Sequence, residues 1–132
     1  MLTLEEVKAF VERLPEVTEG ARHGNRTWFV AGKAFAWERP FTKADIRRFG
    51  DETPPTGDIV AMSVADLAEK EAVLAEGTPG VFTTPHFNGY PAVLLQLQRV
   101  PKRKGRELLL DAWLACAPRK LADEHMARRR RR

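Results

Sequence analysis

An α+β fold with an antiparallel sheet is predicted by three features of this sequence. Apolar residues recur at helical spacing in three separate segments. A run of large alternating residues brackets Gly32-Lys33. Three short apolar runs, bounded by Gly, Pro and Asn, lie between the second and third helical segments or just before the second. Hairpin-joined strands covered on one face by helices give a two-layer sandwich, ordered α-β-β-β-α-β-β-α.

The first helix spans about 4–14. Thr3 followed by Glu6 is a capping box, Leu4, Val7, Phe10, Val11 and Leu14 form the apolar stripe, and Pro15 ends the run. The segment TWFVAGKAFAWE reads as a hairpin with a type II′ turn at Gly32-Lys33. That turn pairs Ala31 with Ala34, Val30 with Phe35 and Trp28 with Trp37, with the four large residues on one face. Residues 40–57, rich in Pro and Gly, form a long connection holding a helical turn near Lys43–Phe49.

Asp58–Ser63 is the next strand. Ser63 and Asp66 then open a second helix, which runs to about Ala75 and ends at Gly77, with Val64, Leu67, Ala68 and Leu74 as its stripe. Strands follow at Val81–Thr84 and Ala92–Arg99, separated by a turn containing Asn88-Gly89. Pro101–Gly105 reads as a basic loop. The third helix covers about 106–117, with Leu109, Ala112, Trp113 and Cys116 at i, i+3, i+4 and i+7. Pro118 ends it, and the polar remainder is expected to fray.

Length and charge bound the rest. A chain of 132 residues is one ordinary domain, able to bury roughly two-thirds of its unfolded surface without staples. Residues 1–121 are assigned to the domain and 122–132 to a basic C-terminal tail. The only cysteine, Cys116, forms no intrachain disulfide, which fits the cytoplasm. The acidic start MLTLEEVKAF has no export-signal character, and no stretch approaches the ~20 apolar residues of a membrane span. The net charge of +4 is concentrated at one end: without Arg128–Arg132 the chain is at −1. Positive segments inside the fold remain at Arg22–Arg48 and Lys102–Arg106.

Three stretches, TPGVFTTPHFNGYPAVLLQL at 78–97, ELLLDAWLACAPRKLA after it and GKAFAWE in the hairpin, resemble the MmcQ/YjbR family over nearly the whole chain. The resemblance implies an α-β3-α-β2-α fold, like that of YjbR-like and secretion-chaperone-type domains. It also implies a non-enzymatic DNA-binding activity through a sheet-and-wing surface. It supplies no catalytic residues, and the five-arginine tail lies outside the family pattern.

The residues agree in offering no catalytic motif. His23, His86, His125 and Cys116 form no metal-ligand spacing, and no cofactor is expected. The glycines form neither a P-loop nor a dinucleotide fingerprint, and Ser63 lies in no nucleophile elbow. Cys116 falls on a core stripe and reads as a small buried residue more than as a nucleophile.

The candidate phosphate contacts are Arg22, Arg26, Lys33, Arg39, Lys102, Arg103, Lys104 and Arg106. Scattered surface charge is the competing reading for them. The candidate ligand loop carries Thr84, His86, Asn88 and Tyr90, and its competing reading is an ordered turn. Trp28, Trp37 and Trp113 are core by spacing, with base stacking the alternative for a hairpin tryptophan. DNA is the expected partner. A chaperone-like protein-interaction module using the sheet face or an edge strand is the second hypothesis, and a small-ligand protein or enzyme using the His86 loop is the third.

Overall fold

Thr3 accepts the Glu6 N–H at 3.1 Å, and the Glu6 carboxylate accepts the Thr3 N–H at 3.1 Å, so the expected capping box opens α1 (Leu4–Val11). The computed structural model describes residues 1–131. Beyond α1 come β1 (Val17–Arg22), β2 (Asn25–Val30), β3 (Lys33–Glu38), α2 (Lys43–Arg48), β4 (Ile59–Ser63), α3 (Leu67–Ala75), β5 (Val81–Phe82), β6 (Ala92–Gln96), α4 (Lys102–Cys116) and α5 (Arg119–Arg130). A 3-10 turn at Pro85–Phe87 precedes β6. The sheet is open, antiparallel and ordered β1-β2-β3-β4-β6-β5. The α+β class and the antiparallel sheet are therefore as the sequence predicts.

Elements and boundaries differ in places. β1 was not expected: its residues are mostly exposed and show no apolar alternation. Residues 102–105 form the first turn of α4 and not a loop, since the Gly105 N–H already bonds to the Pro101 carbonyl at 2.9 Å. Residues after Pro118 continue as α5, against which fraying was expected; Leu121 and Ala122 pack on the core and His125 meets the Trp113 ring edge-on at 5.1 Å. Arg132, the last residue of the basic tail, lies outside the described residues. α3 is capped by Asp66 alone, because the Ser63 hydroxyl donates to the Ala34 carbonyl at 3.1 Å. Its buried residues are Val73 and Lys70, while Leu67 stands 48% exposed.

The hairpin register is also corrected. The turn is Ala31-Gly32, with φ of 50° and 77°, closed by Val30 opposite Lys33. Positive φ at both central residues is the type I′ geometry, and glycine adopts it at no steric cost. His23 and Gly24, at φ 53° and 78°, repeat it between β1 and β2. Trp28 therefore faces Ala36, and Trp37 faces Thr27. Phe35 is the extra residue of a bulge opposite the Trp28–Phe29 step. A bulge breaks the two-residue side-chain period. Phe35 and Ala36 both join the helical core, and Trp37 turns to the opposite face of the sheet.

The main core lies between the sheet and the helices. Trp28, Val30, Phe35, Val60, Met62, Val93 and Leu95 meet Val7 and Val11 of α1, Val73 of α3, and Leu108, Leu109 and Trp113 of α4. Each such side chain contributes about 1.5–3 kcal/mol of burial. A smaller cluster occupies the other face, where Ile59, Ala61, Ala92 and Leu94 are covered by Phe87, with Trp37, Phe41 and Phe82 at its margin. That second cluster positions the candidate site.

Candidate functional site

The second face is covered at one end by two segments. Phe41 follows β3 and packs against Phe49 and Phe82 at 5.5 and 6.1 Å between ring centroids. The 3-10 turn brings Phe87 down onto the sheet, with His86 and Tyr90 beside it at 5.3 and 6.2 Å. Between these segments and the β1–β2 turn the face stays open. The result is a groove of about 870 Å3.

The strands supply its floor. Arg22 and Asn25 close the β1–β2 turn opposite one another and so share a face. Trp37 reaches the same face by the bulge, and the Arg22 guanidinium lies 5.7 Å from its ring centroid. His23, at the tip of the turn, completes that wall.

Two cations brace the opposite wall. The Arg39 guanidinium donates to Asp45 at 2.9 and 3.4 Å and to the Pro40 carbonyl at 2.7 Å, and sits 5.5 Å from the Phe87 ring centroid. Asp45 is buried; burial pushes its carboxyl up, but the Thr42 N–H and Arg39 outweigh this and hold it below the ordinary value. Thr42 and Asp45 also form the capping box of α2. From beneath, the buried Lys70 ammonium of α3 donates to the carbonyls of Phe87 and Tyr90 at 2.5 and 2.9 Å. Burial pushes the Lys70 pKa down.

The lining is therefore aromatic and cationic. Trp37, Phe41, Phe87 and Tyr90 supply rings, Arg22 and the Asp45-paired Arg39 supply guanidinium groups, and His23 and His86 add imidazoles; among the described residues no carboxylate lines the groove. Among the described residues, the side chains of Asn25, His86, Asn88 and Tyr90 make no hydrogen bond, and all four residues line the groove.

The structure thus brings together two groups that the sequence nominates separately. Arg22 and Arg39 come from the phosphate-contact set, and His86, Asn88 and Tyr90 come from the ligand loop. Thr84 is buried at the start of the 3-10 turn, where its carbonyl accepts the Phe87 N–H at 2.9 Å. Arg26 lies on the helical face, paired with Glu38 and 5.5 Å from the Trp28 ring centroid. Lys33 is exposed at the far end of its hairpin.

Lys102, Arg103, Lys104 and Arg106 sit on the first turns of α4, away from the groove. Lys102 pairs with Glu6 at 2.8 Å, Lys104 with Glu76 at 2.8 Å and Arg103 with Glu107 at 3.4 Å. Arg106 is exposed, as are Arg128, Arg129 and Arg130 at the end of α5. Trp37, offered by the sequence as core with base stacking as the alternative, lines the groove, and His23, Asn25, Phe41 and Thr42 join the site without having been nominated for it. The His23-Gly24 dipeptide carried a turn signal that would have located two of them, His23 and Asn25.

Other chemistry is sparse. Cys116 is half-buried, with its thiol 3.8 Å from the Ala34 carbonyl, and burial pushes its pKa up. Among the described residues no group of three or more His, Cys, Asp or Glu is placed to hold a metal ion. A smaller cavity of about 380 Å3 lies between α3 and α4, with Glu69 and Asp111 in its wall. Among the same residues no helix is long and apolar enough to cross a membrane.

The YjbR family model matches residues 12–115. Uncharacterized proteins of Mycobacterium bovis (strain ATCC BAA-935 / AF2122/97) and of Mycobacterium tuberculosis (strains CDC 1551 / Oshkosh and ATCC 25618 / H37Rv) are each 45% identical over 131 residues. The alignments cover 96% of this chain and 98% of each relative. No solved structure matches the chain.

Proposed function

The chain belongs to the YjbR family, and on that footing we propose that it is a non-enzymatic nucleic-acid-binding protein, with DNA its expected ligand and the sheet-face groove its contact surface. One observation carries this reading: among the described residues the groove is lined by aromatic rings and by Arg22 and Arg39, with no carboxylate in its lining. Asp45 behind the wall already answers Arg39 and leaves Arg22 as the cation free for a phosphate. Cations attract phosphate whatever the sequence, and aromatic faces stack on bases. Arg22 beside Trp37 sets one of each side by side.

The basic turn of α4 is the weaker surface. Carboxylates match Lys102, Arg103 and Lys104, so a phosphate would have to displace Glu6, Glu107 or Glu76. The exposed arginines of α5 can add sequence-independent attraction. Binding without catalysis draws support from a half-buried Cys116 whose pKa burial raises. A single thiol accords with a cytoplasmic location.

The test is a salt titration of binding to DNA and RNA oligonucleotides. Affinity should fall steeply with salt, and Arg22→Ala should reduce the slope by about one phosphate contact. No binding at low salt would refute the proposal. A second reading, a chaperone-like protein-interaction module, is favoured by β1, an edge strand exposed from Thr18 to Arg22 whose outer row can accept another strand.

A further inference from the structure

Resting on the nucleic-acid reading, we infer that the groove takes unpaired bases of a single strand, and not a duplex. The shape of the site is the first reason. It is concave, bounded by the β1–β2 turn on one side and by residues 86–90 on the other. A duplex is read by elements that project into its grooves, an α-helix or a two-stranded ribbon. Here the ligand must enter the protein. A volume of about 870 Å3 has room for roughly two or three bases splayed from their strand.

The second reason is which surface of a base the lining can use. Stacked duplex bases hide their faces and expose only their edges. Trp37 is partly exposed on the floor under the Arg22 guanidinium, and Tyr90 is 45% exposed on the rim, so two rings are placed to stack once Arg22 gives way. Only unpaired bases can use them. Asn25, His86 and Asn88 hold unused donors and acceptors beside those rings. Amides and imidazoles of this kind pair with the Watson–Crick edge, which a duplex keeps occupied.

The third reason is rigidity. Lys70 and Arg39 clamp the 86–90 turn from beneath and from the side. The rings are therefore held apart before the ligand arrives, which lowers the ordering cost of binding. The Arg22 guanidinium lies over the Trp37 ring at 5.7 Å from its centroid, so a base that stacks on Trp37 swings this side chain aside, toward the strand's phosphate.

Intrinsic fluorescence reports on the floor directly. Trp28 and Trp113 are fully buried, and Trp37 is the remaining tryptophan. The full chain should be titrated with oligothymidylate and oligouridylate of about a dozen nucleotides, with the oligothymidylate·oligodeoxyadenylate duplex and with thymidine 5′-monophosphate. Binding is followed in parallel by anisotropy of an end label. The strands should quench the fluorescence and bind at least about tenfold tighter than the duplex. The two strands separate DNA from RNA. Trp37→Phe should keep binding and lose the quenching, while Trp37→Ala should weaken binding about tenfold. Asn88→Ala, on the exposed turn, is a second variant whose folding is not at risk, and it should weaken the strand several-fold.

Duplex binding as tight as strand binding, still sensitive to Arg22→Ala, would overturn the inference and leave the nucleic-acid reading standing. Mononucleotide binding as tight as the strand would overturn it in favour of a nucleotide pocket. No binding of any probe would overturn both.

Discussion

The Lys70 ammonium of α3 donates to the Tyr90 carbonyl at 2.9 Å, while Val73 of the same helix packs in the main core. It also donates to Phe87 at 2.5 Å. A buried lysine with two backbone acceptors is the internal support of the turn that walls the groove. Lys70→Met should cost roughly 1–2 kcal/mol in denaturant unfolding, the scale of lost charge-assisted hydrogen bonds. It should also weaken ligand binding, because the 86–90 turn loses its brace. Unchanged amide exchange across 85–90 in the variant would show that the turn stands without it.

Lys70 also gives stability a pH dependence of known sign. Burial lowers its pKa below the ordinary 10.5, so the folded chain sheds this proton at lower pH than the unfolded chain. Between the two values the unfolded state binds more protons, and stability rises with pH. The penalty on the charged form is present below that window and relieved within it. The difference in unfolding free energy between wild type and Lys70→Met should therefore shift toward wild type as pH rises toward 10.5. A flat difference would place Lys70 at its ordinary pKa.

Trp113 is fully buried on α4, and its indole N–H donates to the Pro15 carbonyl at 3.2 Å, tying the helix to the end of the α1 turn. Trp113→Ala should cost on the order of 3–5 kcal/mol. Trp113→Phe should cost less, leaving ring packing but removing about 1 kcal/mol of hydrogen bond. Urea unfolding of both variants gives the comparison.

Cys116 packs against the main core, and burial raises its pKa, so little thiolate is present at neutral pH. Native protein should react slowly with a disulfide reagent, and unfolded protein fast. Rapid labelling of the folded chain would mean an accessible thiolate there.

The turn at Ala31-Gly32 offers a test of register. Ala31 holds φ at 50°, which asparagine tolerates better than alanine. Ala31→Asn should raise stability by about 0.5–1 kcal/mol. Were the turn at Gly32-Lys33, Ala31 would be extended and the substitution would bring no gain.

These cases mark how far the sequence could be read. A capping box and a periodic stripe located α1, the Asp66 cap located α3 although its predicted stripe is not the buried face, and the Leu109–Cys116 spacing located α4, because those signals are local. The hairpin register was not local: Ala31-Gly32 and Gly32-Lys33 are both admissible turns, and the bulge at Phe35 depends on what the helices pack against. That one-residue difference decides whether Trp37 is core or groove floor. β1 carries almost no apolar signal, and α5 begins with Pro118 in place of a side-chain cap. The groove joins residues of the β1–β2 turn, Trp37 with residues 39–42, and residues 86–90, and only the folded sheet places them side by side.

Whether the groove or the α4 turn holds nucleic acid is decided by comparing the two surfaces in one measurement. Binding of an oligonucleotide at low salt should be measured for wild type, for Arg22→Ala combined with Trp37→Ala, and for Lys102, Arg103 and Lys104 all replaced by alanine. The groove variant should bind at least about tenfold more weakly, the scale of one lost stacked base with its phosphate contact. The α4 variant should change affinity by less than about threefold, because its cations already answer carboxylates. Loss of binding in the α4 variant with the groove variant unaffected would contradict the account.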